Sequence, residues 1–241
     1  MTIIPQLFNE LFDTVRWKGR NMYPFISKTW NPLKGMCLHK CPYCYVPHSR
    51  VAKLYTGAPR LDERSLNQNL GTGGFVFVSN MNDLFGKWVA SEWIEAILGR
   101  CGNYDNWYLF QSKNPKRFLD VAVYLPPKTI LATTLECINP NDDKKLRRMT
   151  DFSKISCHLP AIHMVTIEPI MDFDVTLMIV ALTVMNPHVV TIGADSKGHN
   201  LPEPSAEKVL QLIEWIQSQG IKIVSKHNLD RLLKPKGKEK K

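Results

Sequence analysis

The chain has 241 residues, 44% of them hydrophobic, with six cysteines and a formal net charge of +9. That length buries a full core in a single domain and needs no disulfide staples to fold. The charge suggests an anionic partner, but the tail Lys234-Pro235-Lys236-Gly237-Lys238-Glu239-Lys240-Lys241 supplies +4 of it, leaving +5 for the other 233 residues. A solvated, disordered tail (234–241) and a nucleic-acid-gripping arm are both open readings of that end.

In chain order, residues 1–24 read as an extension that packs on the core. Met1-Thr2-Ile3-Ile4-Pro5-Gln6 lacks the basic and apolar regions of a secretory signal. A first strand is expected near 25–29, just before a loop bearing Cys37, Cys41 and Cys44. Gly71-Thr72-Gly73-Gly74 precedes a strand and lacks the lysine and helix of a phosphate loop, so it reads as a turn. Then apolar runs recur, each ending in polar residues. Residues 75–78 lead into Ser79-Asn80, 107–110 into Gln111-Ser112-Lys113, and 130–132 into Thr133-Thr134-Leu135-Glu136. Residues 164–167 lead into Glu168-Pro169, 189–192 into Gly193-Ala194-Asp195, and 221–224 into Ser225-Lys226-His227.

Stretches 91–100 and 205–219 repeat apolar residues at helical spacing, with Ser205 as N-cap and Gly220 as stop. The longest apolar runs, such as 175–184, are too short to span a bilayer, so a cytoplasmic location is expected. Continuous apolar strands alternating with helices predict an α/β fold with a helix-covered parallel sheet. Six or seven strands fall short of a closed eight-stranded barrel. They fit an open, partial TIM-type barrel, (β/α)6 with one further strand, whose site lies where the polar residues follow the strands.

The run Gly35-Met36-Cys37-Leu38-His39-Lys40-Cys41-Pro42-Tyr43-Cys44-Tyr45 puts three thiols on one short loop. Three thiolates can hold three corners of a [4Fe–4S] cluster and leave one iron open, where four would fill it. A zinc site using Cys37, Cys41, Cys44 and His39 is the alternative, although zinc sites normally pair two ligand clusters and Cys101, Cys137 and Cys157 stand alone. A disulfide framework is arithmetically open as well.

The C-x3-C-x2-C spacing, with Tyr43 before the last cysteine, resembles the signature of radical S-adenosylmethionine (radical SAM) enzymes. Several further segments resemble the phage-type radical SAM family. They are Thr29-Trp30-Asn31-Pro32, Met81-Asn82-Asp83-Leu84-Phe85, Ser112-Lys113-Asn114-Pro115, Thr133-Thr134-Leu135-Glu136, Ile167-Glu168-Pro169-Ile170, Ile192-Gly193-Ala194-Asp195 and Ser225-Lys226-His227. They run in family order over most of the chain. Met36 intervenes between Gly35 and Cys37, and Gly-Ala-Asp stands where relatives tend to carry Gly-Gly-Glu, so Asp195 carries no assigned role. The cluster loop is also similar to that of spore photoproduct lyase relatives.

The resemblance implies a (β/α)6 radical SAM core and a [4Fe–4S] cluster whose open iron chelates S-adenosylmethionine. Electron transfer then cleaves it to a 5′-deoxyadenosyl radical that takes hydrogen from a substrate. Cys37, Cys41 and Cys44 are the implied ligands and Tyr43 the residue near the adenine. Ser79, Asn80 and Asp83 sit where the family meets the ammonium of S-adenosylmethionine, unless Asp83 caps the next helix. Lys113, beside Ser112, is placed to hold the methionine carboxylate. Thr134 and Glu136 suit ribose hydroxyls. Glu168, ending an apolar strand, needs a partner if buried, and Lys226 could pair with it or with Asp195.

His39 reads as solvent-facing or bonded within its loop. Trp30, Trp88, Trp93 and Trp107 read as core. The implied partners are an external flavodoxin- or ferredoxin-like electron donor and a nucleotide or nucleic-acid-base substrate, with an amino acid or peptide as alternative. A non-catalytic, zinc-containing nucleic-acid-binding module and a one-electron carrier are the rival classes. No corrinoid segment or second cysteine cluster is visible, which favours isomerisation, lyase chemistry or simple hydrogen abstraction over net oxidation.

Overall fold

The computed structural model describes residues 22–233. Most of the expected N-terminal extension (1–24) and all of the basic tail (234–241) lie outside the described residues.

Each central strand is short, β-branched or aromatic, and buried on both faces, which is why it reads as a continuous apolar run and not as an alternation. The strands are β1 (Lys28–Trp30), β2 (Leu33–Lys34), β3 (Arg60–Leu61), β4 (Phe75–Val78), β5 (Trp107–Gln111), β6 (Thr129–Thr134), β7 (Ile162–Ile167), β8 (Val189–Ile192) and β9 (Lys222–Ser225). Strands β2 and β3 form a small antiparallel pair. The other seven form one sheet in the order β1-β4-β5-β6-β7-β8-β9, and every pairing in it is parallel. Each strand therefore lies beside the one before it. The sheet is open, with β1 and β9 at its edges.

Helices connect the strands: α1 (Glu63–Leu66), α2 (Ser91–Gly102), α3 (Arg117–Asp120), α4 (Asp143–His158), α5 (Val175–Met185), α6 (Ala206–Ser218) and α7 (Asp230–Leu233). They cover one face of the sheet. Ile94 and Leu98 of α2 share a core with Val76, Val78 and Phe110, while Leu182 of α5 and Leu212 of α6 share another with Val165, Ile167 and Ile192. The opposite sheet face packs Phe77, Leu109, Ala132 and Met164 with Tyr23, Phe25 and Ile26; among the described residues its core cluster contains no helix residue. Because all seven strands run the same way, their C-terminal ends share one rim.

The first strand differs from expectation. Phe25 and Ile26 turn into the inner core, and the sheet is entered only at Lys28. Trp30 closes that strand, buried on the helix side, with its Nε1 donating to the Ser65 carbonyl at 2.7 Å. Trp107 is buried too, and Trp88 and Trp93 pack partly buried against the core. The 71–74 segment is a turn, with Gly71 and Gly73 at positive φ. Asn106 clamps it, accepting from the Gly74 N–H and donating to the Gly71 carbonyl, both at 2.8 Å. Ser205 caps α6 and Gly220, at φ 69, ends the turn after it. Residues 175–184 lie within α5, capped by Asp174, whose carboxylate accepts from the Leu177 N–H at 2.9 Å. Among the described residues no helix is long and apolar enough to cross a membrane.

Candidate functional site at the rim of the sheet

The cysteine loop leaves the end of β2, the short strand after β1, through Gly35, whose φ is +85. A Cβ on Gly35 would lie 2.2 Å from the Ala58 carbonyl oxygen, so only glycine fits there. Its N–H bonds to the Leu54 carbonyl at 3.0 Å, and the Met36 N–H bonds to the Gly57 carbonyl at 3.0 Å. These bonds pin the loop to the segment that follows it. Cys37, Cys41 and Cys44 are free thiols of intermediate exposure. Burial pushes the Cys37 thiol up to about 11 and raises that of Cys44. A shared cation would reverse that shift, because metal-bound thiols ionise.

Four groups meet at one point on this rim. The Lys113 Nζ, just past β5, donates to the Cys41 Sγ at 3.2 Å and also contacts the Tyr43 hydroxyl and the Glu136 carboxylate. The Tyr43 hydroxyl in turn donates to Glu136, past β6. Arg148 of α4 reaches the other oxygen of Glu136 at 3.4 Å and the Thr134 carbonyl at 2.6 Å. Burial pulls Lys113 below its ordinary range, with Cys41 and Asp83 acting in the opposite sense. Tyr43 and Glu136 are 93 residues apart in sequence.

Past β4, Ser79 sits at φ 55 and is buried, with its hydroxyl lacking a hydrogen-bond partner. Asn80 is held by neighbours, accepting from Asn31 at 2.8 Å and donating to the Tyr45 hydroxyl at 3.0 Å. Asp83 caps no helix. Its oxygens accept from the Phe85 N–H at 3.0 Å, the Lys113 N–H at 2.9 Å and His39 at 2.6 Å. His39 is therefore neither solvent-facing nor bonded within its own loop: it ties the cysteine loop to the end of β4, with its ring edge-on to Trp88. Ser112 is turned into its own bend, its hydroxyl accepting from the Asn114 N–H at 2.9 Å.

A second set of polar groups lines the inner face. The Tyr23 hydroxyl donates to Gln111 at 2.8 Å, and Gln111 donates to the Thr134 hydroxyl at 2.9 Å, which also receives Thr166 at 3.2 Å. The Lys226 ammonium lies 5.1 Å from the centre of the Tyr23 ring and forms an ion pair with Glu168. Lys226 thus takes Glu168 as its partner. Asp195 instead closes its own turn, accepting from the Lys197 and His199 N–H groups at 3.1 and 2.5 Å and from the His199 Nδ1 at 2.7 Å. The second oxygen of Glu168 is buried without a partner, and burial raises its carboxyl even against the pull of Lys226. Gly193 gives the pair room, since a Cβ there would come within 3.0 Å of the Glu168 carboxylate.

Contacts link these groups in one chain: Cys41 to Lys113, Glu136 and Arg148, on through Thr134 and Gln111 to Tyr23, and so to Lys226 and Glu168. Sequence reasoning missed Gln111, Arg148 and Tyr23. Gln111 had a signal, as the polar residue closing an apolar strand; Arg148 and Tyr23 had none. Among the described residues no group of three His, Cys, Asp or Glu side chains is close enough to hold a metal ion. No family model, curated protein or solved structure matches the chain.

Proposed function

We propose that the protein is a cytoplasmic radical SAM enzyme built on an open (β/α)6-type barrel with one additional strand. The observation that carries this reading is the three-thiol loop on the same rim as Asp83, Lys113, Glu136 and Glu168, each following a different parallel strand. Strands added in chain order, with the described helices packed on one face, suit such an arc. The donor types suit a cluster: Cys37, Cys41 and Cys44 offer three thiols on one loop, and a cluster takes each thiolate on a different iron, so the three need not gather round a single ion; one iron would stay open for S-adenosylmethionine. When bound, the cluster and S-adenosylmethionine would supply a 5′-deoxyadenosyl radical.

The chain's own residues bind and orient. The ammonium of Lys113 can hold a carboxylate, and Asp83 can accept from an ammonium once His39 yields. Tyr43, Thr134 and Glu136 offer an aromatic face and hydrogen-bond acceptors for a nucleoside. The unpartnered Ser79 hydroxyl and the free oxygen of Glu168 are buried polar atoms that a ligand would satisfy.

Anaerobic reconstitution, reduction with dithionite and addition of S-adenosylmethionine test the reading through formation of 5′-deoxyadenosine, which Cys41→Ala should abolish. A colourless, zinc-loaded protein that forms none would replace the enzyme with a binding module. For the substrate we favour a nucleotide or nucleic-acid base, on the charge of the tail. Nucleic-acid binding that weakens steeply with salt, and weakens when residues 234–241 are removed, is the expected result. Salt-insensitive binding would favour an amino acid or peptide.

A further inference from the structure

Near its last edge strand, the rim of the sheet carries a notch. Ile167 of β7 pairs with Ile192 of β8, and Ile192 with Ser225 of β9. The next residues on the three strands are Glu168, Gly193 and Lys226, so a glutamate and a lysine flank a position without a side chain. They meet across it as an ion pair. A Cβ on Gly193 would lie 3.0 Å from the Glu168 Oε1 and 3.1 Å from the Lys226 Cδ, so the pair occupies the space a side chain would need. Two residues back along β8 is Thr191, in register with Thr166 on one side and Val224 on the other. Val224 belongs to the inner core, and Thr191 lies on the same face as Val224 and Gly193. Thr191 is 0% exposed, and its hydroxyl has no hydrogen-bond partner among the described residues. Neither does the Glu168 Oε2.

Two unmet buried polar atoms beside one gap define what a ligand there must carry. The carboxylate oxygen needs an N–H. A lysine ammonium has three donors, and that of Lys226 serves Glu168 and faces the Tyr23 ring, so it can give a further hydrogen bond to a carbonyl. The Thr191 hydroxyl can donate or accept. A free amino acid also brings a donor and an acceptor, but both are fully charged and costly to desolvate in so closed a site. A neutral N–H beside a C=O meets the same groups without burying new charge. That pattern is the lactam edge of uracil, thymine or guanine, the edge by which an unpaired base is read in a protein pocket. We propose that the notch formed by Glu168, Gly193, Lys226 and Thr191 binds the lactam edge of a nucleobase, Glu168 accepting from the ring N–H and Lys226 donating to the ring carbonyl. The proposal rests on the radical SAM reading, which makes that base the substrate. Asp83, Lys113 and Glu136, suited to S-adenosylmethionine, follow β4, β5 and β6, and the notch lies beyond them along the rim.

The test is calorimetric titration of the full-length, anaerobically reconstituted protein, saturated with S-adenosylmethionine. The probes are mononucleotides and single-stranded oligonucleotides of the same bases. UMP and GMP present the lactam edge, CMP lacks the ring N–H, and 3-methyl-UMP has it blocked. UMP or GMP should bind about tenfold or more tightly than CMP and 3-methyl-UMP. Thr191→Val removes a hydroxyl that has no partner in the protein, so the melting temperature should hold or rise while affinity for the lactam base falls about fivefold. Gly193→Ala fills the notch and should abolish the preference for lactam bases while the circular dichroism spectrum stays the same. Equal affinity for UMP, GMP, CMP and 3-methyl-UMP overturns the proposal, as does unchanged affinity in either variant. So does no binding of a lactam base, whether as mononucleotide or within an oligonucleotide. Binding is read without turnover, so failure of the radical SAM reading shows separately, as no 5′-deoxyadenosine with dithionite whatever the nucleotides do.

Discussion

Two lysine–glutamate pairs, buried or half-buried, sit on the same rim and are built differently. Glu136 has a side chain only 5% exposed, and both its oxygens are engaged by Lys113, Tyr43 and Arg148. Glu168 is 18% exposed and meets Lys226 through one oxygen, while the other is buried and unpartnered. A closed network fixes the position of its members, whereas an unfilled acceptor stores an unmet hydrogen bond that a ligand can satisfy. The Glu136 network therefore positions the cysteine loop against β5 and β6. The Glu168 pair leaves one buried acceptor unmet.

The largest effect should come from Lys113→Met, which leaves Glu136 with Arg148 as its one cationic partner. Denaturant unfolding should show a loss of about 3–5 kcal/mol, as for other broken buried pairs. Lys226→Met should cost about 1–2 kcal/mol less, because Glu168 is more exposed and can take up a proton. Its cost should also depend on pH. Burial already raises the Glu168 carboxyl, and removing Lys226 raises it further. A carboxyl raised in the folded state gives stability that is complete below its unfolded value and lost as pH rises through the folded one. The variant should thus be worse at pH 8 than at pH 5; equal costs for the two lysine variants at both pH values would erase the contrast between the pairs.

His163 is a control away from the rim, buried under α4 with both ring nitrogens unpartnered. It faces Phe152 edge-on and stacks on His188 at 5.2 Å, and burial first, then His188, pushes it down to about 3. The unfolded chain binds a proton near pH 6.5 that the fold refuses, so stability falls as pH drops below that value. His163→Phe should remove about 2 kcal/mol of that loss by pH 5 without altering cofactor affinity. Thermal unfolding across pH checks it, and an unchanged acid slope would show that His163 is not the cause. The smallest effect is expected at Ser79, which holds positive φ without using its hydroxyl. Ser79→Gly should stabilise by about 0.5–1 kcal/mol while weakening S-adenosylmethionine binding. Unaltered binding by calorimetry would remove Ser79 from the site.

Most strands were legible because burial on both faces leaves an apolar run with polar residues after it. Residues 75–78 and 189–192 match β4 and β8. The first strand was misplaced because Phe25 and Ile26 are as apolar as any strand residue yet fill the inner face. Helix α4 escaped notice because it buries little: of its sixteen residues only Phe152 and Ile155 are fully buried. In the site, residue types were visible and partners were not. That His39 takes Asp83, and that Tyr43 meets Glu136, depends on which loops the parallel strands bring to one rim. No local pattern encodes that.

The measurement that tests the account most directly is 5′-deoxyadenosine formation by anaerobically reconstituted protein given dithionite and S-adenosylmethionine. The account predicts a coloured, iron-containing protein that forms the product, and loss of both colour and product when Cys37, Cys41 and Cys44 are replaced by alanine. Iron-free protein, or product that survives those replacements, would contradict it.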